Sequence, residues 1–177
     1  MRRFLSFGTL ALLGVVVLVQ LAGPSLAAYP SSYRDRFYER MRRQRALNNA
    51  VVAYAQNHMG QQIGNGECWT LVDEALRSAG ADTSGDSNYV FGTPLALSNL
   101  MGGDVIQFEN ARFDHRSGSS TSWMEFPHHT AIVESVQGRT VTLLNQNVNG
   151  DRHVQRSTIN LDELTRGSLT AYRPKLK

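Results

Sequence analysis

Apolar residues recur along this chain at two different periods, first helical and then alternating. Between Arg40 and His58 they return every three to four residues, which predicts an amphipathic helix. A loop with two glycines follows, and the helical period resumes from Cys68 to Ala79, where Gly80 provides a C-terminal stop. The segment from Asp82 to Met101 is rich in Gly, Ser, Asn and Pro, and it predicts a long irregular connection.

From Asp104 onward the pattern becomes that of strands. Five β-branched, partly alternating segments are separated by turn residues, at 104–109, 130–136, 140–147, 153–161 and 168–174. Gln137 to Arg139 predicts a hairpin turn between the second and third strands. The stretch from Asn110 to His128 predicts a long loop, which in a compact domain is typically functional or mobile. Helices followed by a mostly antiparallel sheet indicate an α+β fold.

The N-terminus carries the marks of an export signal. Residues 1–27 combine Arg2 and Arg3 with an apolar run and small residues at cleavage spacing. An uncleaved membrane anchor is the alternative, because the apolar run approaches the length of a transmembrane helix. For the 177 residues we therefore expect a signal peptide (1–27), a basic arm (28–45) and one domain (46–177), in an exported monomer that is periplasmic or extracellular.

The formal net charge of +3 is unevenly distributed. Residues 28–45 contain six arginines and two acidic residues, whereas the chain from residue 46 onward contains ten basic and thirteen acidic residues. The Arg34–Arg45 arm is therefore suited to an anionic envelope surface, and a solvated helix face is the alternative. An acidic body without interleaved aromatic and basic residues argues against nucleic-acid binding.

Cys68 is the only cysteine, and it stands at the predicted start of a helix. The helix dipole lowers the pKa of a thiol placed there, and a lone thiol in an exported chain indicates either chemistry or an intermolecular link. The alternative is a small buried hydrophobic residue. Glu67, its neighbour, is expected to raise the thiol pKa unless its side chain turns away. Gln62, six residues before Cys68, is a candidate oxyanion donor beside the Cys68 backbone N–H.

A nucleophilic thiol needs a base, and the base needs a hydrogen-bond partner that orients it. His129 begins a predicted strand, and strand parity favours it over His128, the alternative base. Counting back from the hairpin turn places Asn145 diagonal to His129 and Asn147 directly opposite it. Either amide is a candidate to orient the imidazole.

A metal site is the competing hypothesis for the polar residues of this region. Asp114, His115, His128 and His129 are suitable ligand types for zinc. Their spacing matches no compact zinc motif, and adjacent histidines point to opposite faces of a strand. The sequence therefore predicts neither a metal nor another cofactor.

The order of Gln62, Cys68-Trp69, His129 and Asn145 resembles that of papain-like cysteine peptidases. The segments G-D-V-I-Q-F, H-T-A-I-V-E-S-V, L-L-N-Q-N and Y-R-P resemble more closely the bacterial CHAP (cysteine- and histidine-dependent amidohydrolase/peptidase) and NlpC-type branch, over residues 46–174. The resemblance implies a papain-like fold with Cys68 as nucleophile, His129 as base and Asn145 as orienting residue. It also implies cleavage of a peptide or amide bond, with peptidoglycan as the expected substrate. The alternative is a catalytically silent CHAP-like binding or scaffolding module at the cell envelope.

Overall fold

The computed structural model describes residues 31–86 and 89–177. The predicted signal peptide and its anchor alternative lie outside the described residues. The chain divides into two units at Arg36, and the second unit, residues 37–177, contains the whole sheet. Within the described part, no helix is both long enough and apolar enough to cross a membrane.

Two helices precede a six-stranded antiparallel sheet, which confirms the α+β prediction. The helices are α1 (Ser31–Asn57) and α2 (Cys68–Ala79). The strands are β1 (Thr93–Leu95), β2 (Val105–Ser117), β3 (Ser120–Gln137), β4 (Thr140–Asn145), β5 (Gln155–Asn160) and β6 (Leu164–Arg173). Their order in the sheet is β1-β6-β2-β3-β4-β5. Short 3-10 turns lie at Leu97–Asn99 and Leu161–Glu163, so the predicted irregular connection contains β1 and one such turn.

The helix predictions differ in accuracy. α2 has the predicted bounds, and Gly80 caps it in the left-handed conformation with a φ of 78°. α1 starts nine residues earlier than Arg40, so the basic arm is helical from Ser31 onward. Residues 31–57 contain no Gly or Pro to interrupt a helix, and Tyr33, Phe37 and Met41 recur at helical spacing before Arg42, although all three are exposed.

The predicted loop from Asn110 to His128 is wrong, because these residues continue β2 and β3 as a long hairpin. The two strands stay paired out to Ser117 and Ser120, around a turn in which Gly118 takes a φ of 59°. Phe113 and Phe126 pack ring to ring across the pair, with centroids 6.2 Å apart. Cross-strand packing of this kind stabilises an extended hairpin, and alternating apolar positions in β2 were its only local signal.

Both faces of the sheet are buried, in two separate apolar clusters. α1 and α2 cover one face, where Leu71 and Val72 of α2 pack with Ile132 and Leu144 of the sheet. The opposite face holds the second cluster, which includes Phe108, Phe113, Phe126, Ala131, Val133 and Leu143. Because side chains alternate along a strand, consecutive residues of β3 and β4 serve different clusters.

A β-bulge sets the register between β3 and β4. At the turn Gln137 pairs with Thr140, one residue away from the predicted pairing of Val136 with Thr140. The bulge between Val133 and Ser135 absorbs this difference. Ile132 therefore pairs with Leu144, as the count from the turn predicted. Asn145 therefore lies at the predicted position along the β3–β4 pair, although the pairing at the turn differs by one residue from the prediction.

Candidate active site

Cys68 is the first residue of α2, and its side chain is buried. Its backbone N–H is one of the four that a helix does not use internally, so it is free to stabilise an anion at the helix start. The chain enters this turn through Gly66, whose φ is 81°. A Cβ on Gly66 would approach the Cβ of Arg152 to 2.8 Å. Only glycine fits the conformation and the space together.

The loop before Cys68 is held by Gln146, which is fully buried. Its Oε1 accepts a hydrogen bond from the Ile63 N–H at 3.1 Å, and its Nε2 donates to the Ile63 carbonyl at 3.0 Å. The same Nε2 also donates to the Glu67 carbonyl at 2.7 Å. One side chain therefore fixes both ends of the segment that leads into the nucleophile.

Glu67 turns its carboxylate toward two partners. Oε2 accepts a hydrogen bond from Nδ2 of Asn147 at 2.8 Å, and Oε1 lies 3.1 Å from Nη2 of Arg152. Arg152 also donates to the Asn65 carbonyl at 3.0 Å. The expected repulsion between Glu67 and a thiolate is therefore opposed by a guanidinium charge. Arg152 was not identified from the sequence, because it lies 84 residues after Cys68.

Asn147 does not lie opposite His129, so its prediction as an alternative orienting residue is wrong. β4 ends at Asn145, and Asn147 adopts a left-handed φ of 61° that directs its amide to Glu67. Asparagine tolerates this conformation better than most residues, and strand pairing cannot continue through it.

His129 lies in an aromatic environment and is 4% exposed. Its ring stacks on Phe126 with centroids 5.0 Å apart, and Phe108 lies 5.9 Å away. Burial lowers the pKa of His129 to about 4; the hydrogen-bonding side chain of Asn145 acts in the opposite direction, and the neighbouring charge of His128 lowers the pKa further. The imidazole is therefore neutral at pH 7, the form that a general base requires.

Asn145 lies beside His129 and is fully buried. Its Nδ2 donates to Oγ of Ser157 at 2.8 Å, which directs Oδ1 away from β5. Oδ1 of Asn145 and Nε2 of His129 are both buried, and neither has a hydrogen-bond partner of good geometry among residues 31–86 and 89–177. The two atoms complement each other, because a protonated Nε2 is a donor and Oδ1 is an acceptor. That tautomer leaves Nδ1 able to take a proton.

The tripeptide Asn145-Gln146-Asn147 connects the candidate nucleophile to the candidate base. Asn145 adjoins His129, while Gln146 and Asn147 both bind Glu67, the residue before Cys68. Successive side chains of an extended segment point to opposite sides, so three adjacent residues can serve both partners. The loop of Cys68 and the ring of His129 therefore adjoin the same short segment of chain from its two opposite sides.

His128, the alternative base, has different surroundings. Its Nδ1 lies 2.9 Å from Oε1 of Glu109, and its ring meets Tyr89 edge to face with centroids 4.1 Å apart. The pKa of Glu109 is lowered, chiefly by the hydrogen bond from His128. His128 contacts Tyr89, which packs against the apolar cluster on the helix-covered face of the sheet. His129 stacks on Phe126, which belongs to the cluster on the opposite face. The two histidines therefore face opposite sides of the sheet, as predicted.

Gln62, the candidate oxyanion donor, lies along the loop that leads to Cys68. Its Nε2 is 3.4 Å from the Gly64 carbonyl, a weak hydrogen bond on an exposed side chain. A Cβ on Gly66 would come within 3.1 Å of its Cδ, which places the amide two residues from the nucleophile. Its part in catalysis stays a prediction.

The side chains considered for a metal site are engaged elsewhere. Oδ1 of Asp114 lies 2.7 Å from Nε of Arg112, and Nδ1 of His115 lies 2.7 Å from Oε1 of Glu163. With His128 and His129 on opposite faces, these four side chains do not converge on one point.

One comparison with known proteins, the family model, agrees with the fold. A family model described as the AIM3/BBC1 cysteine proteinase-fold domain matches residues 41–176. "Altered inheritance of mitochondria protein 3" of Debaryomyces hansenii is 29% identical over 149 residues, which cover 74% of this chain and 16% of that protein. The chain thus spans about a sixth of the length of this curated relative.

Two solved structures are also similar: the crystal structure of Ly7917, and that of Ly7917 with the hydrolyzing product of MDP. Each has a TM-score of 0.48 and 20% sequence identity, and each match covers 72% of this chain. The matches cover 62% and 63% of those two chains. The family model supports the papain-like part of the resemblance. The CHAP/NlpC assignment, export, the peptidoglycan substrate and the anionic-surface contact stay predictions.

Proposed function

Because the chain belongs to the AIM3/BBC1 cysteine proteinase-fold domain family, we propose that it is a cysteine hydrolase that cleaves a peptide or amide bond at Cys68. One observation carries the proposal. The tripeptide Asn145-Gln146-Asn147 adjoins the buried imidazole of His129 and binds the residue before Cys68. A thiol at a helix start, a neutral imidazole and a buried amide beside it are the parts that a thiol hydrolase needs.

In the proposed mechanism, the ring of His129, which stacks on Phe126 in the cluster opposite the helices, comes within hydrogen-bond reach of Cys68 and takes the thiol proton on Nδ1. The sulfur of Cys68 attacks the carbonyl carbon of the substrate in the same step. The negative charge on the tetrahedral oxygen is stabilised by the Cys68 N–H and by Gln62. The imidazolium returns its proton to the leaving amine as the C–N bond breaks, which leaves a thioester. Water then adds to the thioester with His129 as base, and the acid and the free thiol are released.

The low pKa of His129 decides the resting state of the proposed pair. An imidazole with a pKa of about 4 is a weak base at pH 7 and carries no proton charge there. We therefore propose a neutral imidazole at rest. The proton leaves the sulfur during the attack, and Asn145 stabilises the imidazolium that forms.

The second candidate is a silent binding module of the same fold. The observation that favours it is the burial of both partners, since Cys68 is 7% and His129 is 4% exposed. Under this alternative Cys68 is a core residue, and the His129–Asn145 pair stabilises the sheet.

Acylation by a 4-nitrophenyl ester separates the two candidates. We expect a burst of nitrophenol and an added acyl mass on Cys68, with the acylation rate falling about 100-fold or more in His129→Asn, the range for loss of a general base. His128→Asn is the matched control, with an expected change below about threefold for a residue outside the proposed machinery. Acylation of the wild type no faster than that of a free cysteine peptide would contradict the hydrolase and favour the silent module.

A further inference from the structure

A groove of about 360 Å³ lies along α2, and its wall includes Trp69, the residue after Cys68. Trp69 directly follows Cys68 and is 41% exposed, so it is not a core residue. Leu76 and Phe91 supply buried apolar surface to the same groove, and Tyr89 lines its other side. The groove thus has two aromatic walls and an apolar floor, and one wall contains the residue that follows Cys68 in the chain.

Tyr89 occupies a strained backbone conformation in this wall. Its φ is 61°, a region that bulky residues seldom adopt. Such strain persists where the surrounding structure holds it, and it concentrates at functional sites. The Tyr89 ring contacts His128 edge to face, with centroids 4.1 Å apart, and His128 precedes His129 in the chain. The groove therefore extends from Trp69, in the first turn of α2, to Tyr89, which contacts His128.

The charged residues of the groove are paired. Asp73 lies 2.8 Å from Nε of Arg77, and Asp86 lies 2.7 Å from Nζ of Lys175. Because each carboxylate has its own cation, the groove has no net preference for a charged ligand. Selection then depends on shape and on aromatic contact with Trp69 and Tyr89.

We propose that this groove binds an aromatic or large aliphatic side chain of the substrate, next to the bond that is cleaved. The inference rests on the proposed function, and it names the substrate class of that site. The volume lies at the lower end of the range for ligand pockets, roughly 300 to 1,000 Å³, which suits a single side chain rather than a large ligand. In a hydrophobic pocket of this kind, one methylene group more or less in the substrate side chain changes kcat/KM by about 10- to 200-fold.

The test uses quenched peptides of the form Gly-Gly-X-Gly-Gly that differ only in X. We expect kcat/KM with Phe or Leu to exceed that with Ala, Asp or Lys by about tenfold or more. Trp69→Ala should reduce the Phe-to-Ala ratio to within about threefold, and Tyr89→Ala does the same if the first variant fails to fold. Trp123→Ala is the matched control, because this exposed tryptophan lines a different cavity. A ratio near one in the wild type, or an unchanged ratio in both groove variants, overturns the proposal.

Binding to Cys68→Ser separates failure of the groove from failure of the proposed chemistry. When Trp123→Phe is added to Cys68→Ser, Trp69 is the remaining tryptophan, and its fluorescence reports binding of the same peptide sequences without their labels. If the wild type hydrolyses nothing but Cys68→Ser prefers the Phe peptide about tenfold or more, the groove stands and the hydrolase fails. Hydrolysis with no preference in rate or in binding rejects the groove and leaves the hydrolase in place.

Discussion

Lowering the pH should destabilise the fold through His129 before the carboxylates contribute. The ring has a pKa of about 4 in the folded chain, against an ordinary value of 6.5. Between these values the unfolded chain binds the additional proton, so the free energy of unfolding falls as the pH falls. This stability is complete above about pH 6.5 and is lost as the pH approaches 4. At about 1.4 kcal/mol per pH unit, the loss reaches about 3 kcal/mol in total, and about 2 kcal/mol between pH 6.5 and pH 5.

Urea denaturation at pH 7.5, 6.5 and 5.0 measures this loss. The upper part of the range is chosen because carboxylates with lowered pKa values, such as Glu134 and Asp151, lose their contribution only below their unfolded values of 4.5 and 3.8. In His129→Gln the loss between pH 6.5 and 5 should be smaller by about 2 kcal/mol, whatever the stability of the variant at pH 7.5. His153→Gln, at an exposed histidine, is the control and should keep the wild-type dependence. A His129 ring that titrates above about pH 6 by NMR would refute the argument.

Two further substitutions examine the segment before Cys68. Gln146→Leu keeps the side-chain size but leaves up to three backbone groups of the loop without their partner, so the free energy of unfolding measured in urea should fall by about 2 to 5 kcal/mol. Gln61→Leu, at an exposed glutamine, is the control and should change it by less than about 0.5 kcal/mol. A loss below about 1 kcal/mol in Gln146→Leu would contradict the role of the buried amide. Gly66→Ala adds a steric clash to an unfavourable φ, so thermal unfolding should occur at a lower temperature than in Gly60→Ala, where φ is 74° and the space is open. Equal melting temperatures would show that the crowding at Gly66 is unimportant.

The sequence predictions were accurate where the stabilising interactions lie close together in the chain, and less accurate where they join distant segments. α2 was predicted to the residue because its apolar period, its length and Gly80 are all local signals. The long β2–β3 hairpin was mistaken for a loop, because its stability depends on pairing across strands and on packing between Phe113 and Phe126. The level of Asn145 was right although the turn was one residue off, since a bulge in β3 compensated for it.

The candidate site divides in the same way. Cys68, His129 and Asn145 are identifiable from residue type and order, and the helix start of Cys68 follows from local periodicity. Gln146 and Arg152 carry no chemical motif, and their roles depend on a loop about 80 residues earlier in the chain.

By itself the sequence determined the α+β class and the helix that begins at Cys68, and it supplied the candidate site residues, because propensity, periodicity and capping act within a few residues. Only the tertiary structure decided that His129 is buried against Phe126, that Glu67 forms an ion pair with Arg152, and that one tripeptide adjoins both His129 and the loop before Cys68. The reason is physical. Desolvation, ion pairing and hydrogen bonding depend on which segments meet in space, and here the meeting segments are separated by about 80 residues of chain.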